Sequence, residues 1–494
     1  MIQISALPLL AYKVGPNLFD LSSQMYHVSI RDQMHRAVAL AEALVDGQQF
    51  KVFNQVLIVG AGVAGISAGI VLARHGVEVQ IIDASSDAPF ALQRHVQARY
   101  VGPYMYEWPL EVHTSQKMPP DPFSALAPWD TGKAPALPFT AADPVPPLNL
   151  VTDWEAALER AIFDADGRLR LQTGVNALAT NAAVNNWLVV ERLAYQSGVA
   201  HVPASVAVTG GQPWRNSALP HQPLRPRCVL LAAGMGTEIN QIKDQHGGVL
   251  VQGKSFWADD DILAHQCGFP KKPRLVILGG GDGALQDMLR ALTRDRHPVD
   301  TWRKLLPLDH HGLMAGSLPR LTALESQHAQ TSIWARDDAL RVDTQKVLDA
   351  AYEALAKELA QNAALAGAVI AMLRDDVESV HLCVRESYFS KAYALNRFMV
   401  HLFEQCVQSC GSGSIQNRFQ VCRQWELDGA TTTAGVTDLQ FTNSQHLAAD
   451  LVVVRFGTNT SQLPGQWLGL SKKDTVNRQE LAAVPLPLYF PPSR

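Results

Sequence analysis

The sequence contains few cysteines and no closely spaced pair of them. The six cysteines stand at positions 228, 267, 383, 406, 410 and 422, and none forms a Cys-x-x-Cys motif. A thioredoxin-type dithiol and a zinc site with short-spaced ligands are therefore not expected. Cys406 and Cys410 lie one helical turn apart, where we favour two ordinary buried thiols over a redox pair. So few cysteines suit a reducing compartment, and we expect a cytoplasmic protein.

The chain also lacks a strong excess of charge of one sign. Its 494 residues carry 42 Lys and Arg against 46 Asp and Glu, a formal charge of −4, and no basic run stands out. A nucleic-acid partner and a membrane-binding basic surface are therefore not expected. The opening MIQISALPLLAYKV has neither the charged start nor the cleavage site of a signal peptide. A chain of this length, with 47% hydrophobic residues, predicts about three folded domains.

One uncharged stretch, VLIVGAGVAGISAGIVLA at residues 56–73, has the length of a membrane span. The spacing of its glycines favours another explanation. Residues 55–59 predict a buried strand, and a glycine-rich turn and a helix follow. A second strand, VEVQIID, then ends at Asp83. This order of strand, turn, helix and strand is the context that a dinucleotide-binding fingerprint requires.

The glycine-rich turn is Gly-x-Gly-x-x-Gly, and each glycine has a physical role. Gly60 permits the tight turn, Gly62 lets the backbone approach a pyrophosphate, and Gly65 allows the helix to pack closely on the strand. The helix N-terminus offers free N–H groups to the phosphates. Asp83, 23 residues after Gly60, can accept hydrogen bonds from ribose hydroxyls. The predicted site therefore comprises Gly60, Ala61, Gly62, Val63, Ala64, Gly65 and Asp83.

Two later segments each combine a buried strand with a glycine turn. They are PRCVLLAAGMG at residues 226–236 and AADLVVVRFGTN at residues 448–459. Together with the fingerprint they resemble the two-dinucleotide-binding-domain flavoproteins, which include thioredoxin reductases, glutathione reductases and flavin monooxygenases. The first segment is similar to the Ala-Thr-Gly motif of that superfamily. The second is similar to the Asp-x-x-x-x-Ala-x-Gly element that precedes its last FAD contacts.

The resemblance implies FAD as the cofactor, with Ala233, Gly234 and Gly457 among its contacts. The sequence departs from the superfamily pattern in two places. Ala233 replaces the usual threonine, and Arg455 and Phe456 replace small residues before Gly457. The implied fold class is α/β, with two Rossmann-like dinucleotide-binding domains. In this arrangement the FAD domain is discontinuous, and an NAD(P)-type domain is inserted into it.

A second nucleotide motif follows another predicted strand at residues 274–278. Its sequence, Gly-Gly-Gly-Asp-Gly-Ala, fits Gly-x-Gly-x-x-Ala, in which alanine takes the third glycine position. It falls where the superfamily inserts its NAD(P)H domain. The resemblance therefore implies a nicotinamide nucleotide, NADPH or NADH, at Gly279, Gly281 and Ala284.

This second unit is interrupted before its next strand. A polar, proline-broken stretch and an amphipathic helix over about 344–373 separate the motif from the strand at 379–385, so we predict a helical insertion over about 295–376. Arg385 then stands where the superfamily often places a basic residue for the 2′-phosphate of NADPH. Asp300, 21 residues after Gly279, is the alternative and would suit NADH. A third possibility is that the domain has lost its ligand because the insertion fills the cleft.

Three further segments carry expectations. Residues 29–44 predict a helix, capped by Ser29, that braces the FAD domain. Residues 100–109 hold four aromatics and are expected either to line a ligand cavity or to anchor a surface segment. From Asp153 the pattern predicts helix, turn and strand, and WLVVE at 187–191 predicts a further strand.

The predicted domains are an N-terminal extension (1–54), a first FAD-binding part (55–270), an NAD(P)-binding-like domain (271–440) and a C-terminal FAD-binding part (441–494). The leading hypothesis is an FAD-dependent oxidoreductase that uses NAD(P)H, as a monooxygenase on a small-molecule substrate. The alternatives are an FAD-dependent oxidase that needs no NAD(P)H and a catalytically silent flavoprotein used for binding or sensing. No nucleophile, triad or metal-ligand set identifies a catalytic residue or predicts a metal.

Overall fold

The structure, a computed structural model, describes most of the chain. The described ranges are 12–22 (without 16), 29–46, 55–102, 143–177, 208–217, 228–410 (without 334–337) and 413–459, with a few short pieces between them. Two parallel sheets dominate these residues, and each of them carries one of the two glycine motifs.

The first sheet has six strands in the order β1-β6-β2-β3-β4-β5. Pairing is parallel except between β4 and β5. The central strands are apolar along almost their whole length because helices and loops cover both faces of a parallel sheet. The strands are β1 (Leu18–Asp20), β2 (Gln55–Val59), β3 (Glu78–Asp83), β4 (Leu169–Thr173), β5 (Gln212–Pro213) and β6 (Cys228–Leu231).

Three helices belong to this first unit: α1 (Ile30–Asp46), α2 (Val63–Arg74) and α3 (Pro147–Asp164). The predicted N-terminal helix is confirmed as α1. The predicted cap is confirmed as well, because Ser29 Oγ accepts a hydrogen bond from Asp32 N at 3.0 Å. Met34 and Leu44 are buried on the face of α1 that packs against α2. The N-terminal extension therefore braces the first unit with a helix and also adds the edge strand β1.

The second sheet has four parallel strands in the order β12-β11-β10-β16. They are β10 (Arg274–Leu278), β11 (Ser379–Val384), β12 (Phe419–Arg423) and β16 (Leu451–Val454). Taken in chain order, these strands repeat the arrangement of β4-β3-β2-β6 in the first sheet. Both sheets therefore have the 3-2-1-4 order of a Rossmann-like unit, which confirms the predicted fold class.

The insertion between α4 (Asp282–Thr293) and β11 is helical, as predicted, and its first helix lies in the polar, proline-broken stretch. Pro298 occupies the first turn of α5, where a proline is tolerated, and the Nδ1 atom of the preceding His297 accepts a hydrogen bond from Val299 N at 3.2 Å. A proline therefore starts a helix in the polar stretch that precedes the predicted amphipathic helix. The inserted helices are α5 (Pro298–Leu305), α6 (Leu313–Ile333), α7 (Asp338–Ala360) and α8 (Ala363–Ala371).

The remaining elements complete the second unit. α9 (Ala394–Ser409) packs against α7 and α4, and α10 (Gly413–Gln416) is a single turn. A small antiparallel sheet of β13 (Leu427–Thr433), β14 (Val436–Phe441) and β15 (His446–Ala449) packs on one face of the second sheet. Among the described residues, no helix has the length and apolar character needed to cross a membrane.

One strand lies in a different sheet from the one predicted. The prediction gave residues 448–459 to the FAD-binding domain, but β16 pairs with β10 in the second sheet, with Leu451 opposite Leu275. The Asp450 carboxylate accepts hydrogen bonds from Arg274 N at 2.9 Å and from Arg274 Nε at 3.0 Å, which holds this pairing in register. The place beside β6 in the first sheet is taken by β1 instead. Residues 460–494 lie outside the described residues.

A second strand prediction is also wrong. Residues 187–189 of the predicted strand WLVVE are helical, and Trp187 and Leu188 are buried against the first sheet. A short apolar run of this kind suits a buried helical turn as well as a strand, and its pattern does not distinguish them.

Two short antiparallel ribbons follow the first unit along the chain. β7 (Thr237–Glu238) pairs with β17 (Thr458–Asn459), and β8 (Gln241–Lys243) pairs with β9 (Val249–Gln252). The β7–β17 pairing joins the segment that leaves the first sheet to the segment that leaves the second.

A buried ionic cluster connects the two units. Asp287 on α4 accepts hydrogen bonds from Arg99 of the first unit, from Arg290 at 2.8 Å and from Arg455 Nε, after β16, at 2.9 Å. Asp260 pairs with Arg99 and Arg290 as well. Burial by itself would raise the pKa of Asp287, but the three guanidinium groups hold this pKa well below its usual range. Arg455, one of the departures from the superfamily pattern, therefore has a structural role.

We predict that Asp287→Ala destabilises the protein strongly, because it leaves three buried guanidinium groups without their shared carboxylate. The expected loss is about 3–5 kcal/mol in the free energy of unfolding, measured by urea denaturation. The control is Asp143→Ala, which removes the exposed partner of Arg303 and should cost less than about 1 kcal/mol. Equal losses in the two variants would contradict the proposed importance of the cluster.

Candidate dinucleotide-binding sites

The first glycine loop connects β2 to α2, at the point where the strand order reverses between β2 and β6. Gly60 has φ +113°, and a Cβ atom there would lie 2.2 Å from the carbonyl oxygen of Ala232. A Cβ atom at Gly65 would lie 1.9 Å from the carbonyl oxygen of Gly60. Both positions therefore require glycine for steric reasons, the first against the neighbouring strand and the second against the loop itself. Ligands of open α/β sheets bind at such a reversal.

Gly62 differs from these two glycines because the space beside it is open. It is the N-cap residue of α2, with an extended backbone, and a Cβ atom there would have nothing within 4 Å. The N–H groups of the first turn point out of the helix end, where they can bind a phosphate together with the positive end of the helix dipole. The open space at Gly62 therefore has the position and the chemistry of a pyrophosphate site.

Asp83 lies at the end of β3, beside the same loop. Its Oδ2 atom accepts a hydrogen bond from Ala61 N at 2.6 Å, and its Oδ1 atom accepts one from Ser85 N at 2.8 Å. These two bonds fix the orientation of the carboxylate. Each oxygen retains a second acceptor position, so the carboxylate can still bind ribose hydroxyls.

The turn after β6 and the end of β1 meet at this edge of the sheet. Ser22 Oγ accepts a hydrogen bond from Ala233 N at 2.7 Å, and Ser22 N donates to Asp20 Oδ1 at 2.8 Å. Gly234 has φ +84°, as a glycine turn requires. Burial raises the pKa of Asp20 to about 7. Neither Asp20 nor Ser22 is predicted from the sequence, because β1 has only three residues and gives no periodic signal.

The second glycine loop, between β10 and α4, has the same construction. Gly279 has φ +138°, and a Cβ atom there would lie 2.3 Å from the carbonyl oxygen of Arg455, just as Gly60 abuts Ala232. Gly281 is the N-cap residue of α4, and Ala284 is buried in the first turn of that helix. Each glycine loop therefore packs against the end of the neighbouring strand at the strand-order reversal of its own sheet, which is β6 for the first loop and β16 for the second.

Gly457 lies in the second unit, although the resemblance implied an FAD contact for it. It follows β16, has φ +87°, and its carbonyl accepts a hydrogen bond from Ile239 N at 2.8 Å. The turn at 455–457 is thus the counterpart of the Ala232–Gly234 turn, and it borders the second glycine loop rather than the first.

The second loop is covered by residues 388–393, which we call the cover segment. Ser390 N donates to the carbonyl oxygen of Gly280 at 3.0 Å, and Asp282 N donates to the carbonyl oxygen of Lys391 at 3.3 Å. A Cβ atom at Gly281 would lie 3.7 Å from the carbonyl oxygen of Ser390, whereas the equivalent position at Gly62 is open. The two loops are alike in backbone, and they differ in what lies over them.

The side chain of Asp282 also binds the cover segment and the helix that follows it. Its Oδ1 atom accepts hydrogen bonds from Tyr393 N at 3.0 Å and from Asn396 Nδ2 at 2.8 Å. Burial raises the pKa of Asp282 to about 6, although the residue as a whole keeps part of its surface exposed. The Asn396 side chain is therefore engaged within the protein.

The two candidates for nicotinamide selectivity lie apart. Arg385 directly follows β11, is 68% exposed, and pairs with Glu386 at 2.7 Å. Asp300 lies in the first turn of α5 and is half-buried, away from any strand end. Of the two, only Arg385 has the strand-end position that the fingerprint associates with the ribose.

Trp108, from the segment with four aromatics, packs in the second unit. Its ring stacks on Phe398 with centroids 5.5 Å apart and meets Trp302 edge-on at 5.2 Å, so it is buried among the helices of the second unit. Trp108 therefore packs in the core of the second unit, and the expectation that the segment lines a ligand cavity stays a prediction. Tyr104 and Tyr106 lie outside the described residues.

Comparison with known proteins supports the cofactor of the first site. Residues 54–99 match the family model described as an FAD binding domain, and this segment contains the whole of β2, the first glycine loop and Asp83. No curated protein sequence matches the chain. The open cradle, the helix N-terminus and the carboxylate described above fit this match, so FAD is the cofactor of the first unit.

Several solved structures match at low similarity. The bacillithiol disulfide reductase Bdr of Staphylococcus aureus shares 10% identity at a TM-score of 0.36, with 84% of this chain and 80% of that chain covered. The thioredoxin reductase of Lactococcus lactis shares 8% identity at a TM-score of 0.31, with 83% and 81% covered. The HOCl-induced flavoprotein disulfide reductase RclA of Escherichia coli shares 9% identity at a TM-score of 0.28, and 82% of this chain spans only 56% of that one.

At such low TM-scores these structural matches add nothing to the assignment. The predicted resemblance to the two-dinucleotide-binding-domain flavoproteins is supported instead by the FAD-domain match and by the two Rossmann-like sheets of this chain. Among the described residues, no group of three or more His, Cys, Asp or Glu side chains is placed to hold a metal ion.

We predict that Gly62→Val abolishes FAD binding and leaves the protein folded. The valine side chain enters open space at an ordinary φ of −76°, so it strains nothing in the apoprotein, but it occupies the pyrophosphate position. FAD affinity should fall by about 100-fold or more, measured by flavin fluorescence on titration of the apoprotein. Gly367→Val, another glycine with open space beside it, is the control and should retain the yellow cofactor.

We also predict that the contribution of Asp20 to stability falls as the pH rises from about 4 to 7. Asp20 has a native pKa of about 7, above its unfolded value, so the native state binds more protons in this range and loses stability as they dissociate. Asp282, with a native pKa of about 6, contributes in the same direction. Asp20→Asn should remove this downward contribution from the profile of unfolding free energy against pH, whereas the exposed Asp87→Asn should leave it in place. Parallel profiles for the wild type and Asp20→Asn would refute the assignment.

Proposed function

We propose that the protein is an FAD-dependent oxidoreductase whose second Rossmann-like unit binds NAD(P)H as the electron donor. The observation that supports this most directly is the shared construction of the two loops. Gly60 abuts the carbonyl of Ala232, and Gly279 abuts the carbonyl of Arg455 in the same way. A chain that keeps this steric pattern twice, each time at a sheet reversal, keeps the backbone of two dinucleotide sites.

The chain would bind both nucleotides non-covalently, and its residues would form no covalent intermediate. The first turn of α2 and Gly62 would bind the FAD pyrophosphate, and Asp83 would bind the ribose. FAD, when bound, supplies the redox chemistry, and the protein supplies orientation and exclusion of water. Within this function we favour a monooxygenase acting on a small organic substrate.

The preferred nicotinamide nucleotide in this proposal is NADPH. The exposed guanidinium of Arg385 lies directly after β11 and can pair with a 2′-phosphate in a bidentate manner. Its neighbour Glu386 supplies a counter-charge, which the phosphate would have to replace.

A second candidate function is an FAD-dependent oxidase that takes hydride from its substrate and needs no NAD(P)H. The cover segment favours it, because the backbone of residues 390 and 391 lies over the second loop. In this case the second unit would act as a scaffold for the first.

An anaerobic titration separates the two functions. NADPH added to the FAD-loaded protein without oxygen should bleach the visible flavin absorbance, and NADH should do so less readily. Arg385→Ala should weaken the response to NADPH by about tenfold and leave that to NADH unchanged. Arg320→Ala, which removes an exposed arginine paired with Glu358, is the matched control for the lost charge. If neither nucleotide bleaches the flavin, the proposed donor is wrong, and bleaching by an organic substrate would then support the oxidase.

A further inference from the structure

The two glycine loops of this chain have a similar backbone but different surroundings. Both begin with a glycine packed against a strand carbonyl, and both lead into a helix through an extended N-cap residue, Gly62 or Gly281. The first helix end faces open space. At the second, the amide of Asp282 is already bonded to the carbonyl oxygen of Lys391. Because sequence and backbone are so similar, the difference comes from the segment that follows β11.

Carboxylates accept hydrogen bonds from both ends of the cover segment. Near its start, Phe389 N donates to Asp349 Oδ2 at 3.2 Å. At its end, Tyr393 N donates to Asp282, and the Tyr393 hydroxyl donates to Asp32 Oδ2. The same hydroxyl accepts a hydrogen bond from Ser29 N at 2.9 Å.

These three carboxylates belong to different parts of the chain. Asp349 lies on α7 of the insertion, Asp282 in the glycine loop itself, and Asp32 on α1 of the N-terminal extension. Both additions to the Rossmann-like units, the extension and the insertion, therefore meet at the cover segment. Neither the second sheet nor its own helices would hold the segment in this way alone.

Apolar packing adds to these hydrogen bonds. Phe389 is completely buried, with its ring 4.8 Å from that of His401 and 5.1 Å from the guanidinium carbon of Arg423. Arg423 is held in turn by both carboxylate oxygens of Glu404, and His401 Nε2 lies 3.0 Å from Asp349 Oδ1. Phe389 thus attaches the segment to the buried network between α7 and α9.

The groups that cover the loop have the chemistry of the ligand that the loop would bind. The carbonyl oxygen of Lys391 accepts from the first amide of α4, as a phosphate oxygen would. The Asp282 carboxyl lies at the positive end of the same helix, where phosphate charge is favoured. A pyrophosphate and these oxygens compete for one set of donors, and an ionised Asp282 beside a phosphate would repel it.

We propose that the cover segment is an internal competitor for the second dinucleotide loop, and that NAD(P)H binds only after residues 388–393 withdraw from Gly280 and Asp282. This inference rests on the proposed function, since it concerns the nucleotide site of the same second unit. The observed affinity for the nucleotide is then the intrinsic affinity multiplied by the fraction of molecules in which the cover is open. The insertion and the extension set that fraction through Asp349 and Asp32.

The test measures NADP⁺ binding to the FAD-loaded protein by calorimetry, with hydrogen exchange followed at residues 388–393. Asp282→Ala removes the carboxylate that holds Tyr393 N and Asn396, and it should bind NADP⁺ at least tenfold more tightly than the wild type. Tyr393→Phe removes only the hydroxyl bonded to Asp32 and should shift the affinity in the same direction by less. If Asp282→Ala does not fold, Tyr393→Phe provides the test by itself.

Asn362→Ala is the matched control, because it removes a capping bond to Leu365 N within the insertion and does not touch the cover segment. It should leave NADP⁺ affinity unchanged. Saturating the wild type with NADP⁺ should accelerate exchange at the amides of Phe389, Ser390 and Tyr393, because the nucleotide displaces the segment that protects them.

The proposal is overturned if NADP⁺ binds the wild type and both variants with equal affinity, or saturates the wild type without faster exchange in the cover segment. It is also overturned if variants whose exchange shows an open cover bind no NADP⁺. Failure of the proposed function is a separate result. NADP⁺ affinity would rise in the variants as expected, but NADPH would not bleach the flavin in any of them.

Discussion

The close contact between a glycine loop and the carbonyl of a neighbouring strand is the constraint on which both halves of this protein depend. At Gly60 the contact is with Ala232, and at Gly279 it is with Arg455. A side chain at either glycine would force the loop away from the strand, and the helix that follows would lose its position. The requirement for glycine is therefore steric, and it holds whether or not a nucleotide occupies the loop. This explains how the second loop keeps its form beneath the cover segment.

The two units are held together by charge as well as by chain connection. Asp287, completely buried on α4, binds an arginine from the first unit and another from the end of β16. Such a site is stable only while carboxylate and guanidinium groups remain paired, since an unpaired charge there has no water to solvate it. The orientation of one glycine loop relative to the other therefore depends on this cluster.

The additions to the common architecture act on the two sites differently. The N-terminal extension completes the first sheet with β1 and places Ser22 beside Ala233, next to the open loop. The same extension, through Asp32, helps to hold Tyr393 over the closed loop. The insertion holds the other end of that segment through Asp349. The extension thus borders the first site, whereas the extension and the insertion together cover the second. The choice between a nicotinamide-dependent enzyme and an oxidase therefore depends on the contacts of the cover segment.

Local patterns in the sequence were enough to predict the strands and helices around both glycine motifs, the Ser29 cap and the helical nature of the insertion. Each of these features depends on residues only a few positions apart in the chain. Tertiary structure decided the rest. β16 is an apolar strand that suits either sheet, and its pairing with β10, together with the Asp450–Arg274 contact, chose the second. β1 is too short to show a period and acquires its role only beside β6. The covering of the second loop depends on bonds from Asp32 and Asp349 to residues far along the chain, and no local spacing encodes such contacts.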